Sequence, residues 1–337
     1  MGTVIPLKKE INNSYLELKN LVGEKLDNVS QLIKRKLASE INLISMMTSH
    51  HLNSGGKRMR PLLTLAAAKM CDYKGGDRDI NLAACIELIH SATLLHDDVI
   101  DNSDLRRGIK TGNSIWGNQS SILVGDYLFS RCFEMMVEDG SAEVLKLLSS
   151  TSAIIAQGEV LQLENKGEID LLEETYFNII NMKTASLFAS ATKVGACIAN
   201  KNKKEKDALE SYGKNLGMAF QIADDALDYH AKDIFFGKKI GKDFYEGKTT
   251  LPLIIIFQRA NSEEKKFLTE IFKKEKRNED DFSETLALIN KYKAVQTSLK
   301  RAEYFVNISY DALGIFKDSK EKKILQNLTG FSLNRSF

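Results

Sequence analysis

The sequence predicts an all-helical protein, and three observations carry that prediction. Only three prolines, Pro6, Pro61 and Pro252, occur in 337 residues, so few positions would break a helix. Leu, Ile, Ala, Lys and Glu dominate the composition, and most of these residues favour helices. The alternation of apolar and polar residues that marks a half-buried strand is nowhere sustained. We therefore expect long helices joined by loops.

Prolines and glycines indicate where these helices begin and end. Pro61 and Pro252 stand at the start of the apolar stretches LLTLAAAKM and LIIIF, which suits a proline in the first turn of a buried helix. Glycines between the long periodic segments predict loops, and these are Gly55, Gly56, Gly75, Gly76, Gly108, Gly167, Gly237 and Gly241. Residues 273–282 mix charges of both signs without apolar spacing, which predicts a solvated loop between two helices.

Charge, cysteine usage and hydropathy exclude several classes of protein. The formal net charge is only +2, so no bulk field points to a nucleic acid or to a membrane surface. Cys71, Cys85, Cys132 and Cys197 are scattered without Cys-x-x-Cys spacing, which indicates neither a zinc site nor a disulfide framework. No apolar run approaches the ~20 residues of a membrane span, and the N-terminal residues lack a signal-peptide core. We expect a cytoplasmic protein without a transmembrane segment.

Two aspartate clusters, DDVID at 97–101 and DDALD at 224–228, are the most informative feature of the sequence. In a helix, the first and last Asp of each cluster lie on one face, where their like charges repel unless a cation bridges them. Carboxylate oxygens are ligands that Mg²⁺ prefers, together with waters and phosphate oxygens. One isolated cluster is more often a solvated helix face, but two of them predict a diphosphate held between helices.

Two basic segments accompany the acidic clusters. Residues 55–61, GGKRMRP, combine glycines that admit a close backbone approach with three cations, as in an anion-binding loop. Arg106 and Arg107 follow the first Asp cluster and offer planar forks to phosphate oxygens. Each segment also has a plainer interpretation, as a basic linker or as cations at the negative end of a helix dipole. The Walker sequence does not occur, so ATP is not the implied phosphate ligand.

Taken together, these motifs resemble those of the trans-isoprenyl diphosphate synthases, and within them the long-chain all-trans-polyprenyl, octaprenyl-like branch. The resemblance covers most of the chain and includes GGKRMRP (55–61), ELIHSATLLHDDVIDNSDLRRG (87–108), WGNQSSILVGDYLFSR (116–131), GEVLQL (158–163), KTASLF (183–188), GMAFQIADDALDY (217–229) and GKKIGKDFYEGKTTLPL (237–253). It implies a helical bundle of the isoprenoid synthase type around a central active-site cavity, and a homodimer. Because the sites between residues 55 and 250 serve one ligand, we expect residues 1–337 to form a single domain.

The resemblance also implies roles for individual residues. The metal ligands would be Asp97, Asp101 and Asp224, which bind Mg²⁺. The residues implied to contact the allylic diphosphate are Arg106, Lys183, Thr184, Gln221, Lys238 and Lys248. Those implied to hold isopentenyl diphosphate are Lys57, Arg60, His90 and Arg107. The residues expected to act in catalysis are Asp97, Asp98, Asp101, Arg106, Lys183, Asp224, Asp225 and Lys238. His90 lies two helical turns before Asp97, which makes a site beside the metal cluster geometrically reasonable, although a lone histidine in an apolar helix is more often a packed core residue.

Two positions depart from the family pattern. Lys110 stands where the family commonly has a proline, and Lys242 stands where an acidic or polar residue is usual. We expect Lys242 to weaken a metal contact by its neighbour Asp243, which is therefore left out of the predicted ligand set.

The implied reaction ionises an allylic diphosphate such as farnesyl diphosphate, adds the double bond of isopentenyl diphosphate to the carbocation, and then releases a proton. Repeated additions would give a long prenyl diphosphate for quinone side chains. The alternatives are a shorter-chain synthase and a non-catalytic partner subunit, although a partner subunit would be expected to lose Asp or Arg from the motifs. A terpene cyclase or head-to-head coupling enzyme would not need the loop at 55–61. A helical di-iron protein would need paired Glu-x-x-His motifs, of which residues 87–90 are the only copy.

Small residues before the first Asp cluster predict the product length. Thr93 lies one turn before Asp97 and Ala92 lies beside it, so both should line the tunnel that receives the growing tail. Close helix packing is an equally ordinary use of small residues. The resemblance decides between the two, because short-chain members often carry bulky aromatics here. Phe129 or Phe133 would then form a deeper floor of the tunnel. Each added prenyl unit is about as long as one helical turn, ~5.4 Å. We expect products well beyond twenty carbons, near forty in all.

Overall fold

The structure is a computed structural model that describes residues 7–229, 240–331 and 333. Helices carry almost all of this part of the chain, as the sequence predicts. They are α1 (Leu7–Lys36), α2 (Asn42–Asn53), α3 (Met59–Met70), α4 (Arg78–Ile100), α5 (Gly112–Trp116), α6 (Asn118–Asp139), α7 (Ala142–Glu164), α8 (Glu173–Ile180), α9 (Ser186–Ile198), α10 (Lys203–Leu227), α11 (Lys242–Glu246), α12 (Leu251–Arg259), α13 (Ser262–Phe272), α14 (Glu279–Lys291), α15 (Ala294–Ala312) and α16 (Lys320–Leu328). A π-helical turn, Asn181–Ala185, separates α8 from α9, and 3₁₀ turns at Leu313–Ile315 and Thr329–Phe331 follow α15 and α16.

One small hairpin interrupts the helices directly after the first Asp cluster. Strand β1 (Leu105–Arg106) pairs antiparallel with β2 (Ile109–Lys110), and Arg107 and Gly108 form the turn with positive φ values of 54° and 79°. Two-residue turns with positive φ match the twist of the strands they join. Sequence periodicity does not predict this hairpin, because two-residue strands are too short to show alternation. The hairpin returns both of its arginines toward the preceding helices.

The buried apolar side chains form two clusters. The first lies mainly among α1, α3, α4, α6 and α9, and the second among α12, α13, α14 and α15. Helix α10 contributes to both, since Tyr212 belongs to the first cluster and Ile222 to the second. The helix that carries the second Asp cluster is therefore anchored on both sides.

The predicted starts of two buried helices are confirmed. Pro61 lies in the first turn of α3 and Pro252 in the first turn of α12, and the apolar residues that follow each proline are buried. A proline fits there because first-turn N–H groups have no intrahelical acceptor. The charged segment between α13 and α14 is a connecting loop, as predicted, although it is shorter and spans residues 273–278. Gly237 of the predicted glycine loops lies outside the described residues.

Helix α7 is the one described helix that is long and apolar enough to cross a membrane by length and composition. The sequence does not predict such a span because Lys146 and Glu159 interrupt the apolar run. Core helices of soluble proteins pass the same test, so the finding is weak evidence for a membrane span. Only 28% of its most apolar window is buried, and Val160 and Leu163 are exposed. Helix α7 therefore has an apolar outer face in the single chain.

Candidate active site

The first Asp cluster occupies the C-terminal end of α4, where Asp97 and Asp101 follow one another by one turn. The Asp101 N–H donates to the Asp97 carbonyl oxygen over 2.8 Å, so the helical spacing predicted from the sequence is confirmed. The Asp97 carboxylate has no side-chain hydrogen bond or ion pair within the described residues. Burial, and after it the nearby carboxylate of Glu159, raises the pKa of Asp97 to about 7. Asp97 is thus placed to gain from a bound cation.

The middle residue of this cluster has a protein partner instead. Asp98 is buried, and its Oδ1 accepts hydrogen bonds from Nε and Nη2 of Arg106 over 3.0 and 2.8 Å. The Asp98 carbonyl oxygen also accepts from the Asn113 side chain over 3.2 Å. Asp98 therefore fixes the hairpin against α4. Arg106, predicted to contact the allylic diphosphate, keeps only part of its guanidinium for that purpose.

The second Asp cluster at the end of α10 follows the same pattern. Asp224 is exposed and has no side-chain hydrogen bond or ion pair in the part of the chain that the structure describes. Asp225 is buried and accepts hydrogen bonds from the Tyr176 hydroxyl over 2.6 Å and from Gln221 Nε2 over 2.7 Å. The other end of the Gln221 amide, Oε1, accepts from the Thr184 hydroxyl over 2.8 Å. The predicted diphosphate contacts Thr184 and Gln221 are thus linked to Asp225.

Asp243, left out of the predicted ligand set, lies against the second cluster. Its N–H donates to Asp228 Oδ2 over 2.9 Å, and burial, followed by the cluster's carboxylates, raises the pKa of Asp243 well above its usual range. Lys242 is engaged elsewhere, with Nζ 3.1 Å from Ser103 Oγ and 3.3 Å from a carboxylate oxygen of Glu246. The Lys242 amine thus contacts groups other than Asp243, and its expected effect on a metal contact by Asp243 stays a prediction.

Two predicted diphosphate-binding lysines neutralise acids of the site. Lys183 Nζ lies 2.6 Å from Glu159 Oε2 and donates to Gln162 Oε1 over 2.5 Å. Lys248 Nζ lies 2.7 Å from Asp101 Oδ2. Burial would lower the pKa of Lys248, but its acidic neighbours, Asp101 first, raise it above the usual lysine range. Each lysine therefore pairs with an acidic side chain of the site.

The π-helical turn Asn181–Ala185 presents Lys183 and Thr184. A Cβ on Gly158 of α7 would lie 2.7 Å from Met182 Cβ and 3.0 Å from the Lys183 backbone nitrogen, so only glycine allows this approach. Single π turns inside helices are frequent at functional sites. The glycine of the GEVLQL motif therefore serves to bring α7 against the turn that carries two predicted ligands.

The paired glycines before α3 admit an arginine. Arg107 Nη1 donates to the Gly55 carbonyl oxygen, and a Cβ on Gly56, whose φ is 149°, would lie 2.6 Å from the same nitrogen. The sequence predicts a close approach at these glycines, and the approaching group is the side chain of Arg107. The hairpin and the loop at 55–61 thus form one basic site.

A second cation of this site, Arg60, lacks a full set of partners. Its guanidinium lies 4.5 Å from the centre of the Phe188 ring, and its buried Nε has no hydrogen-bond partner in the described part of the chain. Burial lowers the pKa of Arg60 to about 10, and Glu87 opposes that shift. Burial also lowers the pKa of His90 well below its usual range, with Arg60 and His51 adding to the effect. A neutral histidine and an incompletely paired arginine are suited to binding an anion.

The structure also bears on the remaining predicted residues. Lys238 lies outside the described residues. Lys57 Nζ lies 4.4 Å from the centre of the Phe331 ring. Ala92 is fully buried, and the Thr93 hydroxyl donates to the His90 carbonyl oxygen over 2.8 Å.

The two phenylalanines predicted to form the tunnel floor differ in orientation. The Phe129 ring centre lies 6.0 Å from that of His96 in α4, so this side chain faces the helix that carries Ala92 and Thr93. Phe133 is 40% exposed. The role of either phenylalanine as a tunnel floor stays a prediction.

Sequence reasoning missed three side chains that the structure places in the site. Glu87 is partly buried near Arg58 and Arg60, and desolvation raises its pKa. Glu159 pairs with Lys183, and Tyr176 donates to Asp225. A signal existed for the two glutamates, because a charged residue inside an apolar helix is seldom buried without a partner. The sequence gives no comparable signal for Tyr176, since an aromatic residue in an amphipathic helix is ordinarily a core residue.

The sequence model described as polyprenyl synthetase matches residues 41–289, a range that contains both Asp clusters. The chain is 35% identical to the octaprenyl diphosphate synthase of Haemophilus influenzae over 331 residues, which cover 98% of this chain and 100% of that protein.

Solved structures are similar over nearly the whole chain. A decaprenyl diphosphate synthase from Rhodobacter capsulatus is 38% identical and superposes with a TM-score of 0.91, covering 96% of this chain and 99% of that one. A polyprenyl synthase from Caulobacter crescentus, solved with calcium and isoprenyl diphosphate, is 40% identical with a TM-score of 0.91, covering 96% and 98%. The helical fold predicted from the sequence is confirmed by these similarities.

Proposed function

This chain belongs to the polyprenyl synthetase family, and we propose that it is a long-chain all-trans-polyprenyl diphosphate synthase that elongates an allylic diphosphate such as farnesyl diphosphate with isopentenyl diphosphate. It is a prenyltransferase. The observation that carries the proposal is the alternation within the Asp clusters. Asp97 and Asp224 lack protein partners in the described part of the chain, whereas Asp98 and Asp225 are buried and hydrogen-bonded. One carboxylate of each cluster is thus held available and its neighbour serves to fix it.

The family is metal-dependent, and we propose Mg²⁺ as the ion of this chain. Asp97, Asp101 and Asp224 would hold it, since they offer the hard carboxylate oxygens that Mg²⁺ prefers. Among the described residues, no group of three His, Cys, Asp or Glu side chains is arranged to hold an ion. Each Asp cluster would therefore supply one or two carboxylates, and waters and phosphate oxygens would complete the coordination of the ion. Bound Mg²⁺ would neutralise charge on the departing diphosphate.

The ion pairs of the site support a coupled binding of metal and allylic diphosphate. Lys183 and Lys248 balance Glu159 and Asp101 at 2.6 and 2.7 Å. When the substrate enters with its metal, each lysine would turn to diphosphate oxygens and Asp101 would turn to the ion. Preorganised cations of this kind stabilise negative charge that develops as the carbon–oxygen bond breaks.

Isopentenyl diphosphate would occupy the basic site formed by the loop at 55–61 and the hairpin. Arg60 and Arg107 offer planar donor groups to its phosphate oxygens, and neutral His90 can donate from a ring nitrogen. This site adjoins α4 two turns before Asp97, so the double bond of isopentenyl diphosphate can reach the allylic carbon. The new carbon–carbon bond leaves a cation on the adduct, and the released diphosphate is a plausible acceptor for the proton that is lost.

Product length and use are the finer part of the proposal. Small side chains at Ala92 and Thr93, and Phe129 facing the same helix, support a product of about eight five-carbon units, each about one helical turn long. We propose a quinone side chain as the use of this product. A shorter product and a role as a non-catalytic partner remain the alternatives, and all predicted Asp and Arg residues are present.

We further propose a homodimer in the cytoplasm. Ile122, Phe133 and Val137 lie on one face of α6 at helical spacing and are exposed, as is the neighbouring Leu123. An exposed apolar helix face of this kind is one that a protein partner covers. Four free, buried cysteine thiols are compatible with a reducing compartment.

One experiment tests the core of the proposal. The purified chain is incubated with Mg²⁺, farnesyl diphosphate and isopentenyl diphosphate, and the dephosphorylated products are sized by chromatography. Products of about forty carbons are expected. A product of fifteen or twenty carbons would refute the long-chain assignment, and the absence of any elongation would favour a non-catalytic subunit.

A further inference from the structure

We propose that Tyr176, a residue outside every sequence motif of the site, positions the groups that bind the allylic diphosphate. The inference rests on the proposed function of that site. Tyr176 lies in α8 and its side chain is 3% exposed, so it acts only through its contacts. Its hydroxyl donates to Asp225 Oδ2 over 2.6 Å, the length of a strong hydrogen bond to a carboxylate.

Three consecutive hydrogen bonds lead from Tyr176 to the ligand side of the site. Asp225 Oδ1 accepts from Gln221 Nε2 over 2.7 Å, and Gln221 Oε1 accepts from the Thr184 hydroxyl over 2.8 Å. The series joins α8, α10 and the π-helical turn. In such a network, loss of one bond weakens the orientation of the members that follow.

The direction of these bonds determines which atoms remain for a ligand. Gln221 Oε1 accepts from the Thr184 hydroxyl, so the Gln221 group that faces Asp225 is the amide nitrogen. That nitrogen carries a second hydrogen, which is left to donate to a diphosphate oxygen. A flipped amide would turn its oxygen toward Asp225 and would lose this arrangement. The series therefore keeps a donor of Gln221 available to the substrate.

Among the described residues, Tyr176 and Gln221 are the side chains that donate hydrogen bonds to the Asp225 carboxylate. The carboxylates of Asp224, Asp228 and Asp243 also bear on Asp225, as does the buried Tyr229 hydroxyl, which makes no hydrogen bond to it. Without the hydroxyl, one oxygen of a buried carboxylate would lose its donor, and the carboxylate would have to reorient. Gln221 would then lose its fixed partner.

Two tyrosine variants test the inference. Tyr176→Phe removes only the hydroxyl, and Tyr212→Phe is the matched control, because Tyr212 is also buried and donates to the Leu325 carbonyl oxygen over 2.7 Å. The measurements are the Kd for a non-ionising thio-analogue of farnesyl diphosphate with Mg²⁺, the KM for both substrates, and the melting temperature. Tyr176→Phe should weaken binding of the analogue by about tenfold and leave the KM for isopentenyl diphosphate within about twofold. Tyr212→Phe should lower stability without this selectivity.

A double-mutant cycle with Gln221→Ala identifies the route of the effect. If Tyr176 acts through Gln221, Tyr176→Phe should have little further effect on analogue binding in the Gln221→Ala background. Additive losses would overturn the inference, as would equal effects on both substrates or an unchanged Kd.

Should Tyr176→Phe not fold, Thr184→Val breaks the same series at its other end and should give the same selective loss. Measuring the Kd of the analogue does not require turnover. If the unsubstituted protein binds the analogue but does not elongate farnesyl diphosphate, the proposed function is refuted. The double-mutant cycle then still decides whether Tyr176 positions Gln221.

Discussion

At the scale of single residues, identical side chains in one cluster have opposite roles. Asp97 and Asp98 are adjacent, yet the first has no partner in the described part of the chain and the second is held by Arg106 at 2.8 Å. Successive helical residues point about 100° apart, so the buried Asp98 side chain and the partly exposed Asp97 side chain meet different surroundings. The sequence predicts the cluster, but it does not by itself separate ligand from support.

Loss of either unpartnered aspartate should abolish most of the activity. Asp97→Asn and Asp224→Asn should each lower kcat/KM for elongation by at least about 10²-fold, because each removes a carboxylate proposed to hold Mg²⁺. Asp207→Asn is the control, since Asp207 is exposed and pairs with Lys203 near the start of α10, far along the helix from Asp224. Rates are measured across Mg²⁺ concentrations. A near-parental rate in either variant would contradict the two-cluster site.

Truncation of Arg60 should separate the two substrates. Arg60→Ala should raise the KM for isopentenyl diphosphate by about tenfold or more while changing that for farnesyl diphosphate by less than about threefold, because uniform binding losses appear in KM. Arg301→Ala removes an exposed arginine that pairs with Glu173 and should change neither constant. If the allylic substrate is chiefly affected, the two diphosphate sites have been assigned the wrong way round.

At the scale of elements, helices were predictable and their irregularities were not. The starts of α3 and α12 follow from Pro61 and Pro252 because proline has a simple local preference. The hairpin at 105–110 and the π turn at 181–185 depend on contacts that are distant in sequence, such as Gly158 against Met182. Local sequence patterns do not reveal contacts between distant residues, and Tyr176 and Glu159 were missed for this reason. Both act through partners on other helices.

The helix pair α4 and α6 should set the product length. Ala92→Phe or Thr93→Phe should shorten the main product while leaving the first condensation intact, because the added ring fills space about one prenyl unit deep. Thr93→Val keeps the side-chain volume nearly constant and should leave product length unchanged. Chromatography of the dephosphorylated products is the measurement. An unchanged distribution in both phenylalanine variants would mean that the tail runs elsewhere.

At the scale of the whole molecule, α10 joins the two apolar clusters of the described residues. It carries Tyr212 in one cluster, Ile222 in the other and the second Asp cluster at its end. This supports the prediction that residues 1–337 form a single domain, since two independently folding units would not share one continuous helix. It also means that packing on either side can shift the position of Asp224.

The exposed face of α6 should be the surface that joins two copies of the chain. Leu123 and Val137 are 67% and 65% exposed, and an apolar stripe of this extent is covered in most stable proteins. Light scattering after size exclusion should give the parent twice the chain mass of 37.8 kDa, whereas Leu123→Glu with Val137→Glu should give a single chain mass. Ile315→Glu, which alters an equally exposed apolar residue beyond α15, should leave the mass unchanged. A parent that runs as a monomer would remove the dimer proposal, and a doubly substituted chain that still runs as a dimer would move the interface to another face.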